Sequence, residues 1–248
     1  MSKKIKLGFA LFFIGSLGVA SLLTVDFPTD KIPQEVLRQF SKDTLKYLSL
    51  INPILLLCFA VAVGTALYEK VNLSVPTLSS ILGYPEKGIS FLKQIKFGIF
   101  IGILSGVVTA IISLAFQSVL AKEFKLLENK IELTLIAKLG YGGITEELLL
   151  RFGFMTLLVW VIFKISKKLN NVAYWIAIVF SAVLFGIGHL PVVYSVISQP
   201  NAYLLSYIII GNAMAGVLFG WLYWKKGLES AMIAHIFSHL TMIVLSFL

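Results

Sequence analysis

The feature that most constrains this chain is a series of unbroken apolar runs, each about 20 residues long, a length that lets a helix cross the hydrocarbon core of a bilayer. Transmembrane β-strands would instead alternate apolar and polar residues over about ten positions, and the runs show no such alternation. Only 13% of the residues are charged, whereas soluble domains carry about 25%. The sequence therefore predicts an all-α, multi-pass protein of the cell membrane.

Seven such runs predict about seven transmembrane helices. They are Leu7–Val25, Leu48–Leu67, Phe97–Leu120, Leu139–Phe163, Val172–His189, Ala202–Trp224 and Leu228–Leu248. The first run follows a basic segment, as in a signal peptide, but it is longer than a typical signal core, so we expect a retained helix. Two polar segments, Glu35–Tyr47 and Ala121–Lys138, are predicted to form short amphipathic helices at the membrane surface.

We divide the chain into residues 1–90, which carry two spans and no diagnostic motif, and residues 91–248, which we expect to form the functional membrane core. The third span carries Gly98, Gly102 and Gly106 at intervals of four. A stripe of small residues lets another helix approach closely in a bilayer. We expect this stripe to pack within the chain, in preference to pairing two copies, although the sequence does not determine the oligomeric state.

The formal net charge of +9 raises the question of a nucleic-acid partner. The lysines, however, cluster at the ends of the apolar runs, where flanking positive charge sets membrane topology. We therefore expect the lipid bilayer, and no nucleic acid, as a partner, with the N-terminus inside. The single cysteine, Cys58, can form neither an internal disulfide nor a cysteine-rich metal site.

Three charged residues interrupt the fourth run: Glu146, Glu147 and Arg151. Each charged side chain at mid-membrane costs roughly 2.5–3.5 kcal/mol on insertion scales, so intramembrane charges usually mark functional sites. On an α-helix Glu147 and Arg151 lie four residues apart, acid first, which favours an ion pair. Glu146 is rotated by about 100° from its neighbour and lacks that partner. We expect Glu147 and Arg151 to be structural and Glu146 to be the chemically active group.

The three histidines of the chain, His189, His235 and His239, all lie in or at the ends of apolar spans in its last third. His235 and His239 are four residues apart and share one helix face. Because these histidines accompany two intramembrane glutamates, we take them as candidate site residues.

Three chemistries could use this set. A carboxylate in apolar surroundings is a stronger base than in water and could activate a water for acyl hydrolysis, with histidines holding the water or stabilising the oxyanion. A zinc site could instead use His189, His235, His239 and Glu146. Proton-coupled transport also uses intramembrane Glu and His, but it distributes them across the membrane depth, whereas hydrolysis needs one compact pocket.

The three motifs in their order, Glu146-Glu147-x-x-x-Arg151, Phe185-x-x-x-His189 and His235-x-x-x-His239, resemble those of the CPBP family. This family contains the CAAX prenyl proteases and bacteriocin-processing enzymes and is also called Abi. The resemblance covers roughly residues 138 to 245. Two positions depart from the family pattern: the last is often Asn and is His239 here, and the residue after the arginine is commonly Gly and is Phe152 here.

The resemblance implies a helical intramembrane endopeptidase of the glutamic type. Because the proposed base is a carboxylate with a histidine and no closed set of metal ligands lies on adjacent turns, we expect no cofactor and no zinc. The resemblance also implies that Glu146 is the general base, that His189 holds the same water, and that His235 and His239 stabilise the oxyanion. The expected partner is a membrane-associated peptide or protein substrate, prenylated or not. Two alternatives remain: a non-catalytic immunity or scaffold protein of the same family, and a proton-coupled transporter.

Overall fold

The computed structural model describes residues 2–26, 32, 34–86, 89–130 and 133–247. Every regular element in these residues is a helix. In chain order they are α1 Lys3–Ala20, α2 Gln34–Gln39, α3 Lys42–Leu48, α4 Ile51–Leu67, α5 Pro76–Ile81, α6 Phe91–Lys130, α7 Leu135–Ser166, α8 Asn171–Gly188, α9 Leu190–Val196, α10 Ala202–Lys226 and α11 Leu228–Leu245. Short 3₁₀ turns extend α1 to Thr24 and α4 to Val71.

Seven helical segments are long and apolar enough to cross a membrane, which confirms the predicted all-α, polytopic class. Each contains most of one predicted run, with ends shifted by a few residues. The last helix ends at Leu245, and Leu248, where the seventh run was predicted to end, lies outside the described residues. The outward faces of these helices expose large apolar side chains, as lipid contact requires.

Three predicted connections differ from the structure. The segment Ala121–Lys138 is not one surface helix: its first part continues α6 to Lys130 after a kink at Leu120, and residues 131 and 132 lie outside the described residues. Leu120 is fully buried against Val193 and Leu204, and this packing holds the extension on the bundle. The segment Glu35–Tyr47 is divided between α2 and α3, because Ser41 caps α3 by accepting a hydrogen bond from Thr44 N. The connection between the fifth and sixth predicted runs, residues 190–201, contains the helix α9.

The glycine stripe on α6 packs against α11, as predicted for an intramolecular contact. A Cβ at Gly98 would lie 2.6 Å from Ile233, and a Cβ at Gly102 would lie 2.6 Å from the carbonyl oxygen of Ala234. A Cβ at Gly106 would meet the side chain of Thr241 at the same distance. The absence of side chains on this face therefore lets α6 and α11 approach to backbone contact, and it fixes the helix that carries His235 and His239.

Two carboxylates anchor the short helix α5 to the bundle. Glu86 accepts hydrogen bonds from Val75 N at 3.0 Å and from the hydroxyl groups of Tyr68 and Ser79. Glu229, at the start of α11, accepts one from Leu78 N at 2.9 Å. These bonds satisfy the free amide groups at the first turn of α5 and its preceding residue.

The glutamate-bearing helix α7 lies at the centre of the bundle. Its first half packs against α1 and α11, and its second half packs against α4 and α8. Thr145, fully buried, donates a hydrogen bond of 2.8 Å to Gly15 O on α1. On the opposite side of α7, Gly64 of α4 and Gly153 of α7 lack side chains, which lets these two helices approach closely. The first 90 residues thus supply two of the helices that surround α7.

Candidate functional site

The helix that carries the glutamates is wound as a π-helix over Lys138–Glu146 and Leu148–Met155. The sequence predicts an α-helix here, and the difference matters because a π-turn holds more residues and is wider. π-turns frequently occur at functional sites. Gly142 also lies in this segment, and a Cβ there would lie only 2.8 Å from His239 Nε2. The missing side chain lets α11 bring its histidines against the glutamate segment.

Glu147 lies between a cation and a histidine. Its Oε2 is 3.3 Å from Arg151 Nε, and both side chains are fully buried, so the ion pair predicted from the spacing is present. Its Oε1 is 2.9 Å from His235 Nδ1. Because an ionised carboxylate can only accept hydrogen bonds, Nδ1 carries a proton and donates it to Glu147. The carboxylate therefore fixes the orientation and tautomer of the ring as well as neutralising Arg151.

The guanidinium of Arg151 is enclosed by aromatic rings. Its central carbon lies 4.7 Å from the ring centre of Phe185 and 5.6 Å from that of Phe219. Its three nitrogens have no hydrogen-bond partner within the part of the chain that the structure describes. Gly216 leaves space for the guanidinium, because a Cβ at this position would lie 3.0 Å from Nη2 of Arg151. Glu147 is the nearest compensating charge, so this arginine depends on it.

His235 connects the two glutamates. Its Nε2 lies 3.9 Å from Oε2 of Glu146, beyond direct hydrogen-bond distance. Its ring is stacked between those of Phe219, 4.7 Å away, and His239, 4.9 Å away. Stacking on both faces and the bond to Glu147 hold the imidazole in one position. Among the described residues, His235 on α11 is the histidine with a ring nitrogen within 4.0 Å of the Glu146 carboxylate.

His189 lies at the junction of α8 and α9. Its Nδ1 is 2.8 Å from Phe185 O, one helical turn earlier, and since a carbonyl only accepts, Nδ1–H is the donor. This leaves Nε2 free to face a ligand. No hydrogen bond or ion pair joins His189 to Glu146 among the described residues, and the water that the family resemblance implies they share stays a prediction.

The three histidines line one cavity of about 200 Å³. Its other hydrogen-bonding side chains are Thr109, Tyr207, Asn212 and Ser238. Its apolar wall consists of Phe185, Ile208, Ala215, Phe219 and Met242. Glu146 does not line the cavity itself. His235 does, and it therefore lies between Glu146 and the open space.

Sequence reasoning missed Thr109, Asn212 and Phe219. Asn212 could have been found, because a carboxamide inside an apolar span also costs free energy to bury, though less than a charged side chain does. Phe219 has no such signal, since an aromatic residue in a membrane helix is ordinary. No group of three or more His, Cys, Asp or Glu side chains in the described residues is arranged to hold a metal ion.

Comparison with known proteins gives one match. Residues 129–241 match the family model described as type II CAAX prenyl endopeptidase Rce1-like. No curated protein and no solved structure matches the chain. The matched segment contains Glu146, Glu147, Arg151 and all three histidines. The resemblance to the CPBP family is thus confirmed over residues 129–241, where the chain, a multi-pass membrane protein, matches the Rce1-like model.

Proposed function

We propose that this protein is an intramembrane endopeptidase that uses Glu146 to activate a water molecule. The observation that carries the proposal is the position of His235, which links the glutamate pair to the cavity. All the intramembrane ionisable residues singled out in the sequence lie in or beside this one cluster, as hydrolysis requires. A transport relay would instead distribute them along the membrane depth.

The distance of 3.9 Å between Glu146 Oε2 and His235 Nε2 fits a bridging water. With Nδ1–H bound to Glu147, the neutral ring presents a lone pair at Nε2, so both groups can accept a hydrogen bond from that water. The water oxygen then attacks the peptide carbonyl carbon while Glu146 takes its proton. In this scheme His235 holds the water, a role that the family resemblance assigns to His189.

The remaining steps use a histidine that faces the cavity and the proton held by Glu146. Attack places negative charge on the carbonyl oxygen, and His239 is the candidate to stabilise it by donating a hydrogen bond, because the N–H of a neutral His189 ring is already bound to Phe185 O. When the tetrahedral intermediate collapses, the C–N bond breaks and the proton held by Glu146 passes to the leaving amine. Each peptide bond cleaved consumes one water molecule, and no step uses a metal.

The substrate class proposed is a membrane-associated peptide, and a prenylated CAAX C-terminus is the first to test because the family description names it. The cavity is lined by residues of four membrane-spanning segments, α6, α8, α10 and α11, in a protein with an apolar exterior, which fits a substrate anchored in the bilayer. We also propose the cell membrane as its location.

The test is cleavage of a fluorescent farnesylated CAAX peptide by purified protein, with membrane proteomics as a second readout for unmodified substrates. Glu146→Gln should abolish cleavage while membrane abundance and thermal stability stay unchanged, because the amide keeps the size but cannot act as a base. Glu35→Gln, an exposed glutamate on α2, is the matched control. Cleavage by Glu146→Gln at the wild-type rate would contradict the mechanism.

A further inference from the structure

The face of α10 that lines the cavity contains residues 208, 211, 212, 215 and 219, which share one side of a helix. Asn212 is the hydrogen-bonding side chain of this face, and Tyr207 lines the cavity beside it. The ring of Tyr207 packs against Phe116 and Phe124 of α6, with centres 5.6 and 4.8 Å away, so it belongs to the wall. Asn212 is a carboxamide on a surface that is otherwise apolar.

Asn212 uses only part of its hydrogen-bonding capacity. Its Nδ2 donates one bond of 2.8 Å to Ile208 O, one turn earlier on the same helix. Within the described residues, neither its second N–H nor its Oδ1 has a partner. A carboxamide with one free donor and one free acceptor is complementary to a peptide group, which offers one acceptor and one donor.

Gly211, which precedes Asn212, leaves space for the backbone of a substrate. Gly211 is buried and lines the cavity, yet a Cβ built there would meet no atom within 4 Å. The gap lets another chain approach the surface of α10 directly next to the carboxamide. A substrate backbone that enters apolar surroundings must exchange its hydrogen bonds with water for bonds to protein. The gap and the free carboxamide together meet that requirement.

We propose that Asn212 is a substrate-binding residue whose carboxamide pairs with a peptide group of the substrate, and that Gly211 admits the substrate backbone beside it. The inference rests on the proposed function and deepens it, since it identifies a backbone-recognition site on the wall of the cavity. Recognition of the main chain is independent of the substrate side chains. It positions the peptide for attack without taking part in proton transfer.

The experiment compares Asn212→Leu with Ser206→Leu, an exposed position on the same helix. Cleavage of the farnesylated CAAX peptide gives KM and kcat, and binding of the same peptide is measured in a Glu146→Gln background. Asn212→Leu keeps the side-chain size but removes both free groups. We expect KM to rise and binding to weaken by roughly tenfold, the loss typical of one or two hydrogen bonds, with kcat within about twofold.

Two further comparisons distinguish binding from a structural effect. Asn212→Gln should restore part of the affinity, and the unfolding temperature of Asn212→Leu without peptide should equal that of the wild type. Unchanged KM and binding in Asn212→Leu, or an equal loss in Ser206→Leu, would overturn this inference and leave the proposed function standing. Cleavage that survives Glu146→Gln would instead remove the proposed mechanism, while weaker binding by Asn212→Leu would still support the backbone site.

Discussion

Glu147 accepts a hydrogen bond of 2.9 Å from His235 Nδ1, although 88 residues separate the two in the chain. The same carboxylate lies 3.3 Å from Arg151 Nε. One side chain therefore neutralises a buried cation and orients a histidine of the cavity. The sequence assigned Glu147 a structural role, and the contact with His235 adds a positioning role for the proposed reaction.

Glu147→Gln should reduce both stability and cleavage. Loss of the carboxylate leaves the Arg151 guanidinium buried without a compensating charge, and breaking a buried pair in this way costs about 3–5 kcal/mol. It also replaces a charged acceptor for His235 Nδ1–H with a weaker neutral one. The unfolding temperature and the membrane abundance, measured beside peptide cleavage, should both fall. Neither should fall for Glu146→Gln.

The double variant Glu147→Gln/Arg151→Met should recover part of the lost stability, because no charge then remains uncompensated among the rings of Phe185 and Phe219. Cleavage should stay low, since His235 still lacks its carboxylate. If Glu147→Gln proves stable and merely inactive while Glu146→Gln unfolds, the base is the other glutamate.

Gly102→Ala should destabilise the bundle. The new methyl group would lie 2.6 Å from Ala234 O on α11, and forcing extra volume into such a contact typically costs about 1–3 kcal/mol. Gly188→Ala is the matched control, because a Cβ there meets no atom within 4 Å. Unfolding temperatures in detergent measure both. Equal temperatures for the two variants would show that the α6–α11 contact is looser than described.

Cleavage should not depend on zinc. The proposed base is a carboxylate held beside a histidine, and its chemistry needs no Lewis acid. Activity should survive dialysis against a strong chelator, with metal content measured by mass spectrometry. Activity that disappears on chelation and returns with added zinc would recast His189, His235 and His239 as ligands.

The N-terminus and the segment of residues 166–171 should face the inside of the membrane, as the excess of lysines at Lys164, Lys167 and Lys168 indicates. Cys58→Ser removes the single exposed thiol and provides a clean background. A cysteine at Ser166 should then react with a membrane-impermeant reagent only after the membrane is opened. A cysteine at Gln199, on the opposite side, should react in intact cells. The reverse pattern would invert the topology.

The fold class, the approximate spans and the residues of the charged and histidine cluster could all be predicted from the sequence. This was possible because each depends on local composition: a bilayer requires about 20 apolar residues per helix, and it makes every charge inside such a run conspicuous. The close packing of the glycine stripe on α6 could also be predicted from the sequence, because small residues at intervals of four indicate close packing whichever helix is the partner.

Only the tertiary structure decided how the cluster is connected. The sequence places Glu146 and His189 in helical runs but cannot say which histidine lies beside which glutamate, since that depends on the rotation and contact of separate helices. The π-helical winding of α7, the approach of α11 at Gly142 and the stacking of His235 between Phe219 and His239 bring the ring of His235 to both glutamates. Helix packing likewise brings Asn212 of α10 to the same cavity. Spacing along one helix is a local property of the chain, whereas contact between helices results from packing all of their faces together.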